Sequence, residues 1–300
     1  MKTLICINGH IHALRATRLA AKFACTTNSE ATFLFVRRYR KDTRGYNIRR
    51  KATEVFADWG EELPEIKYLH EAENTFKETR GDSGKEIQVG RPRRTLVHIG
   101  GGIFEEGSVY LRSDSQAHLK IREGVPHEEI IKEAREGRYE LVMLGAHRLI
   151  GCRWCEIENI PLRVAQKAPC PVTVIGTDFE EGQPVLVCVG RNDPPESTLR
   201  LGKAITAIMK SEIEVLSVQR TANPAFQFTE KVASMMNEWS ESSLKVTPRV
   251  MTGDPIEVIL EMAPHYGLIV CLSGRKRRKY RLGKVTKKVL CRQLNVLIPK

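Results

Sequence analysis

The hydrophobic pattern changes period repeatedly along the chain. Apolar runs of strand length, such as Leu4-Ile5-Cys6-Ile7, Leu141-Val142-Met143-Leu144 and Leu268-Ile269-Val270-Cys271, alternate with segments whose apolar positions recur at helical spacing. The first half predicts strands at 3–7, 31–36, 118–122, 141–144 and 172–175, with helices near 13–26, 48–62, 126–136 and 159–167. The second half predicts strands at 185–189, 212–218, 245–251, 268–272 and 296–298, with helices near 196–208, 224–240, 255–265 and 285–291. Strands alternating with helices imply parallel sheets, right-handed crossovers and helices on both faces.

Two stretches repeat one pattern. Residues 119–145, LKIREGVPHEEIIKEAREGRYELVMLG, and 247–272, TPRVMTGDPIEVILEMAPHYGLIVCL, each spell strand, turn, helix, buried strand. Aligning Gly124 with Gly253 places Pro126 on Pro255, Ile130 on Ile259, Ile131 on Leu260 and Ala134 on Ala263. An apolar stretch also opens each half, at Leu4–Ile7 and Leu186–Val189, so the chain reads as two copies of one α/β domain. The expected division is 1–176 and 184–300, joined by a polar linker over 177–183. The first copy carries roughly thirty extra residues, 82–115. There Thr95–Ile99 and Ser108–Leu111 flank Gly100-Gly101-Gly102 and predict a hairpin. A helix-to-strand connection emerges at the N-terminal edge of a parallel sheet, opposite the ligand edge. The insertion is therefore expected to meet a protein partner rather than close over a ligand.

Composition narrows the class. The hydrophobic fraction of 41% is globular, and the longest apolar runs are of strand length, far short of a bilayer span. Met1-Lys2-Thr3 leads straight into a strand, without the architecture of a signal peptide. A cytoplasmic protein with no membrane partner is expected. Of eight cysteines, Cys6, Cys188 and Cys271 fall inside predicted buried strands, which suits reduced thiols better than a disulfide scaffold.

With the opening strand and helix and the two glycine turns, the block 145–174, GAHRLIGCRWCEIENIPLRVAQKAPCPVTV, resembles the universal stress protein family. The match runs through nearly the whole chain as a tandem pair. The resemblance implies a Rossmann-like five-stranded parallel sheet in each domain and a pseudo-dimer with 172–175 and 296–298 near its interface. ATP-binding relatives carry a loop Gly-x2-Gly-x9-Gly-Ser/Thr, in which glycine lets backbone N–H groups approach phosphate. Here the first domain reads Gly145-x2-Arg148-x9-Glu158-Asn159, keeping one glycine and adding a carboxylate, and Asn8 stands where such relatives carry aspartate. In the second domain Cys271 takes the first glycine position, Gly274 the second and Gly283-Lys284 the last pair, while Gly190 replaces the aspartate. The ATP-binding motif is degenerate in both.

Charge singles out the second domain. Arg275, Lys276, Arg277, Arg278, Lys279, Arg281, Lys284, Lys287, Lys288 and Arg292 lie in one stretch without an acidic residue, in a chain of net charge +12. Cations stacked before a helix N-terminus are unfavourable unless an anion compensates. The expected ligand site is Gly190, Arg191, Asn192, Asp193, Gly253, Ser273, Gly274, Arg275, Arg277, Arg278, Gly283 and Lys284. ATP, another nucleotide or a small anion satisfies it, as do a nucleic-acid backbone and an acidic protein surface. A solvated face satisfies the same pattern. Tyr280 alone is interleaved, so stacking gives single strands no preference.

A second constellation lies in the first domain. Cys152-x2-Cys155 has the spacing of a metal or redox pair, and His10, His12 and His147 are expected at the same sheet edge. Zinc or a disulfide is the alternative chemistry there, against ordinary loop thiols. Glu128, Glu129 and Glu133 fall in the first two turns of a helix and read as partners of its dipole. No Ser/His/Asp or paired-carboxylate arrangement is identifiable, so no catalytic residue is assigned. The reading is a stress-response binding or regulatory protein rather than a metabolic enzyme. Weak nucleotide hydrolysis and homo-oligomer formation are left open.

Overall fold

The computed structural model of the chain describes residues 1–27, 30–38, 64–81, 94–100, 102–108, 117–146, 160–178, 180, 182–190, 201, 210–222, 226–242, 244–271, 282–292 and 295–299. Strand β1 (Lys2–Ile7) leads into helix α1 (Ile11–Thr27) and β2 (Glu30–Arg37). Then come α2 (Pro64–Arg80), β3 (Arg94–Gly100), β4 (Ile103–Ser108), β5 (Ala117–Glu123), α3 (Pro126–Glu136), β6 (Leu141–Gly145), α4 (Ile160–Lys167) and β7 (Val172–Ile175). The second half runs β8 (Val185–Val189), β9 (Ile213–Gln219), α5 (Glu230–Glu241), β10 (Val246–Thr252), α6 (Pro255–Met262), β11 (Leu268–Cys271), α7 (Lys284–Arg292) and β12 (Asn295–Ile298).

These strands join one 12-stranded sheet in the order β10-β9-β8-β11-β12-β7-β6-β1-β2-β5-β4-β3. It contains two five-stranded parallel units, β5-β2-β1-β6-β7 and β10-β9-β8-β11-β12. They meet as a pseudo-dimer where β7 and β12 pair antiparallel, with Val174 opposite Val296. Alternation along β1 sends Ile5 and Ile7 into the layer of α1 and α2, and Leu4 and Cys6 into the layer of α3 and α4. Both apolar layers continue into the second half, through Trp239 of α5 on one face and Val289 of α7 on the other.

The duplication holds residue by residue. Leu4 is in register with Thr32 and Thr32 with His118, as Leu186 is with Glu214 and Glu214 with Thr247. Gly124 and Gly253 have φ of 156° and 149°, backbone that favours glycine. Each donates its N–H to the last residue of the neighbouring strand, Arg37 at 2.9 Å and Gln219 at 2.8 Å. The described residues of 119–145 and 247–271 therefore occupy equivalent elements.

Several expectations change. Helix α2 was not foreseen, although Pro64 at its start and buried Leu69, Ala72 and Phe76 carry the helical period. The helices expected at 48–62 and, apart from Leu201, at 196–208 lie outside the described residues. Helix α5 starts at Glu230 rather than 224 because the Thr229 hydroxyl accepts the Val232 N–H at 3.4 Å and caps it.

The hairpin is present, but its second strand is Ile103–Ser108 rather than 108–111; residues 109–116 are outside the described set. It also stands elsewhere than expected. Strand β4 pairs antiparallel with β5, and Gly102 accepts the Glu123 N–H at 3.0 Å. The hairpin thus extends the sheet sideways, and its turn reaches the C-terminal edge, where ligands sit. The chain enters at the N-terminal edge, but one strand length carries it across.

The second half has no such cover among the described residues, and its outer edge differs from β5 at one position. Register makes Leu119 of β5 the counterpart of Pro248 in β10. The Glu123 N–H points to the hairpin, so by alternation the Leu119 N–H does too. Lys245 O accepts from Ile213 of β9, so Pro248, of opposite parity, faces outward. Proline costs the ladder nothing there and removes a donor from the edge.

Candidate functional site

Ligands of open α/β sheets bind at the C-terminal strand ends where strand order reverses. In the first half that point lies between β1 and β6. Gly145, the last residue of β6, packs beneath the first turn of α1, and a Cβ on it would run into the backbone of His12 and Ala13. The glycine that survives from the loop motif is required by helix-strand packing, with or without a phosphate.

His12 at this edge has other work. His12 Nδ1 lies 2.8 Å from Gly176 O and 3.1 Å from Arg15 Nη1. Arg15 donates to Gly176 O at 2.7 Å, and Arg15 and Arg18 each reach Asp178 at 3.0 Å. This cluster ties α1 to the segment leaving β7. The Asn8 side chain accepts the His10 N–H at 3.2 Å, folding back on the turn rather than facing a ligand. Cys152, Cys155 and His147 lie outside the described residues, and among the described ones no three His, Cys, Asp or Glu groups could hold a metal.

Beside this edge a small cleft of about 150 Å³ opens between β1, α1 and α2, lined by Ile7, Gly9, His10, Leu14, Tyr68 and Glu71. Tyr68 closes over Gly9, where an added Cβ would come within 2.6 Å of the ring, and it stacks on Phe35. Missing α2 in the sequence meant missing this aromatic wall.

In the second half the reversal lies between β8 and β11. Gly190 follows β8, and among the described residues nothing lies within 4 Å of an added Cβ. Helix α7 begins at Lys284 directly behind Gly283 and has no acidic residue in its first turn. Among the described residues a Cβ on Gly283 would approach the Thr286 hydroxyl, at 4.0 Å. Gly253 sits at the same edge but two strands from β8, about 10 Å by ladder spacing. Arg191, Asn192, Asp193, Ser273, Gly274, Arg275, Arg277 and Arg278 lie outside the described residues. The register corrects one assignment. Cys271 is opposite Cys188 as Leu144 is opposite Cys6, so Cys271 is the counterpart of Leu144 and the Gly145 position falls to Leu272.

The acidic face of α3 also differs from its expected role. Glu133 is buried and takes Lys120 at 3.0 Å, Arg122 and the Tyr139 hydroxyl, while Glu129 takes Arg122 at 2.8 Å. These carboxylates dock α3 on β5 rather than only complementing a dipole. Glu105 of the hairpin joins through Lys120 at 2.7 Å. Burial alone would raise the Glu133 carboxyl, but hydrogen bonds from Lys120 and Arg122 outweigh it and hold the group below the ordinary glutamate range.

Two parallel units with helices on both faces, each with one reversal of strand order, define a tandem, doubly wound α/β protein. Residues 109–176, which run through β5, α3, β6, α4 and β7, match the universal stress protein family. The whole chain is similar in structure to a universal stress protein from Archaeoglobus fulgidus DSM 4304, at 15% identity and TM-score 0.65, over 100% of this chain and 96% of that one. It is similar also to a functionally unknown protein from Pseudomonas aeruginosa PAO1, at 16% and 0.56, over 100% and 92%. A third likeness is to the cytoplasmic domain of a prokaryotic cation chloride cotransporter, at 10% and 0.51, over 99% and 94%. At such identities these likenesses are of fold. Among curated proteins no match is found. No helix among the described residues is long and apolar enough to cross a membrane.

Proposed function

We propose that the chain is a cytoplasmic stress-response binding or regulatory module, built of domains 1–176 and 184–300 joined by 177–183, that holds an anionic or nucleotide ligand in the second domain. The observation that carries this reading is the start of α7. Lys284 opens the helix behind Gly283, the first turn carries no acidic residue, and among the described residues nothing comes within 4 Å of a Cβ added to Gly190 at the end of β8. Unpaired backbone donors and added cations there favour an anion. The first crevice is the weaker candidate, because Gly145 is closed off by α1 and its nearby cations are paired to Asp178. Among the described residues neither strand end supplies a recognisable base and nucleophile, which favours binding over catalysis.

The test is equilibrium binding of ATP and of a short nucleic-acid duplex at low and physiological salt. Affinity should fall as salt rises, since exposed charges are screened over about 8 Å at physiological ionic strength. Neutralising Arg275, Arg277, Arg278 and Lys284 should weaken binding far more than neutralising Arg49 and Arg50. Competition between ATP and the duplex separates a nucleotide pocket from a polyanion surface. Absence of binding by both at low salt would mean that the basic stretch is a solvated face.

A further inference from the structure

Two helices meet across the seam between the units. Helices α4 and α7 lead into β7 and β12, which pair antiparallel, and the helices touch each other on one side of the sheet. Their apolar positions, Leu162, Val164 and Ala165 in α4 and Val289 and Leu290 in α7, are buried in that layer. Their outer positions are cationic. Lys284, Lys288 and Arg292 recur at i, i+4 and i+8 and are all exposed, with Lys287 half-buried beside them. Lys167 ends α4 and is exposed, and Arg163 one turn earlier reaches His127 at 3.1 Å. Neither helix contains an acidic residue. Among the described residues no carboxylate pairs with Lys167, Lys284, Lys287, Lys288 or Arg292.

Like charges four residues apart weaken a helix, whereas opposite charges support it. Elsewhere the chain takes the supporting arrangement, as where Lys77 pairs with Glu73 of α2 at 3.0 Å. The cationic strip is also bounded. Helix α6, packed on α7, exposes Glu257 and Glu261, and α3, packed on α4, exposes Glu128 and Glu136 among Lys132 and Arg135. Packed helices lie about 8–10 Å apart, so the cations of α4 and α7 form one narrow band rather than a diffuse basic surface.

We propose that α4 and α7 together form a sequence-independent docking strip for the phosphate backbone of a nucleic-acid duplex. A duplex presents one negative charge per about 1.7 Å of its axis, against a row of cations along a helix about 13 Å long. An acidic protein fits less well. Protein interfaces centre on aromatic and other well-packed anchors, and the exposed large apolar residues of the described structure, Ile11, Val125 and Val250, lie on neither helix. A membrane surface, which helices enter by an apolar face, fits less well for the same reason. Neither helix carries an aromatic side chain for base stacking, which favours a duplex over a single strand. Apart from Lys284, which is common to both, the strip lies outside the anion crevice and does not depend on that reading.

The experiment measures binding of the full chain to a short mixed-sequence DNA duplex across a salt series. The logarithm of the binding constant falls with the logarithm of salt by about 0.9 per phosphate contact, so the five cations give a slope of about −4.5. K287Q/K288Q/R292Q should reduce that slope by about 3 and K167Q by about 1. K67Q, on the opposite side of the sheet, should leave it unchanged. ATP affinity should stay at the parent value in all three, which separates failure of the strip from failure of the crevice. In the unmodified protein the duplex should protect Lys167, Lys287 and Lys288 from acetylation, a readout that needs no variant to fold. An unchanged slope in K167Q or in the triple variant overturns the proposal, as does equal acetylation with and without duplex. Tighter binding of polyglutamate than of duplex at matched charge overturns it in favour of an acidic protein, and capture by phosphatidylserine vesicles without duplex binding overturns it in favour of a membrane.

Discussion

Arg122 on β5 and Glu133 on α3 form an ion pair that water barely reaches, their side chains being 1% and 3% exposed. The register and the aligned turn glycines give their counterparts in the second half as Met251 and Met262, with Val258 in place of Glu129. One chain thus solves the same helix-on-strand contact twice, once with charges and once with apolar side chains. Breaking a buried pair by removing one partner costs about 3–5 kcal/mol, whereas replacing the whole set by fitting apolar groups is often neutral or better. R122M alone should destabilise the protein by that amount in urea unfolding at neutral pH. The triple R122M/E129V/E133M should recover most of the loss. A triple variant as unstable as R122M would show that the two contacts are not interchangeable.

The same carboxylate sets an acid limit. Because the folded Glu133 group titrates below its unfolded value, its contribution is complete above the ordinary carboxylate range and is lost as pH falls through the lowered value. Stability should fall on acidification below about pH 4.5, the usual glutamate value. In the triple variant that part of the acid dependence should be missing. Urea midpoints measured across acidic pH for both proteins provide the comparison.

Asn295 should hold the seam between the two units. Its carbonyl accepts from Gly176 N at 3.1 Å and Thr177 N at 3.2 Å, and its amide donates to Gly267 O and the Thr177 hydroxyl, both at 2.9 Å. N295L keeps the volume but strands buried backbone groups, at about 1–3 kcal/mol for each one left unsatisfied. Expected are a lowered unfolding midpoint and faster hydrogen exchange at 172–177 and 295–298. Unchanged exchange in both strands would assign the seam to apolar packing alone.

Much of this fold was legible because buried parallel strands announce themselves. Leu141–Leu144 and Leu268–Cys271 are uninterrupted apolar runs, and the two glycine turns fix the repeat. What escaped was set by long-range contact. The parity of Pro248 against β9, the placement of the hairpin turn at the C-terminal edge, and the commitment of Gly145 to the α1 backbone all depend on which strand lies beside which. Cys188 and Cys271 are far apart in sequence, so only the β8–β11 register joins them. The ligand list was legible as charge and glycine content, but Gly253 shows its limit, since two intervening strand positions separate it from the crevice.

The two crevice glycines should respond oppositely to the same change. G145A forces a methyl into the backbone of His12 and Ala13, and such overpacking typically costs about 1–3 kcal/mol. G190A meets nothing within 4 Å among the described residues, so its stability should stay within about 0.5 kcal/mol of the parent. If the second crevice holds the anion, G190A should weaken ATP or polyanion binding without touching stability. A destabilised G190A with unaltered binding would remove Gly190 from the site.

Pro248 should keep the outer edge of the second unit unpaired. Val250 beside it is 47% exposed, and both residues face away from β9 by parity, so P248V would present successive outward donors on an apolar strand. The first unit shows what such an edge accepts, because β5, with Leu119 at the equivalent place, carries β4 in antiparallel register. P248V should therefore self-associate with rising concentration in sedimentation velocity, while P248V combined with V250K should return to the parent's behaviour. If P248V sediments as the parent does across the concentration range, the proline is not what guards this edge, and the hairpin of the first half has some other reason for being absent from the second.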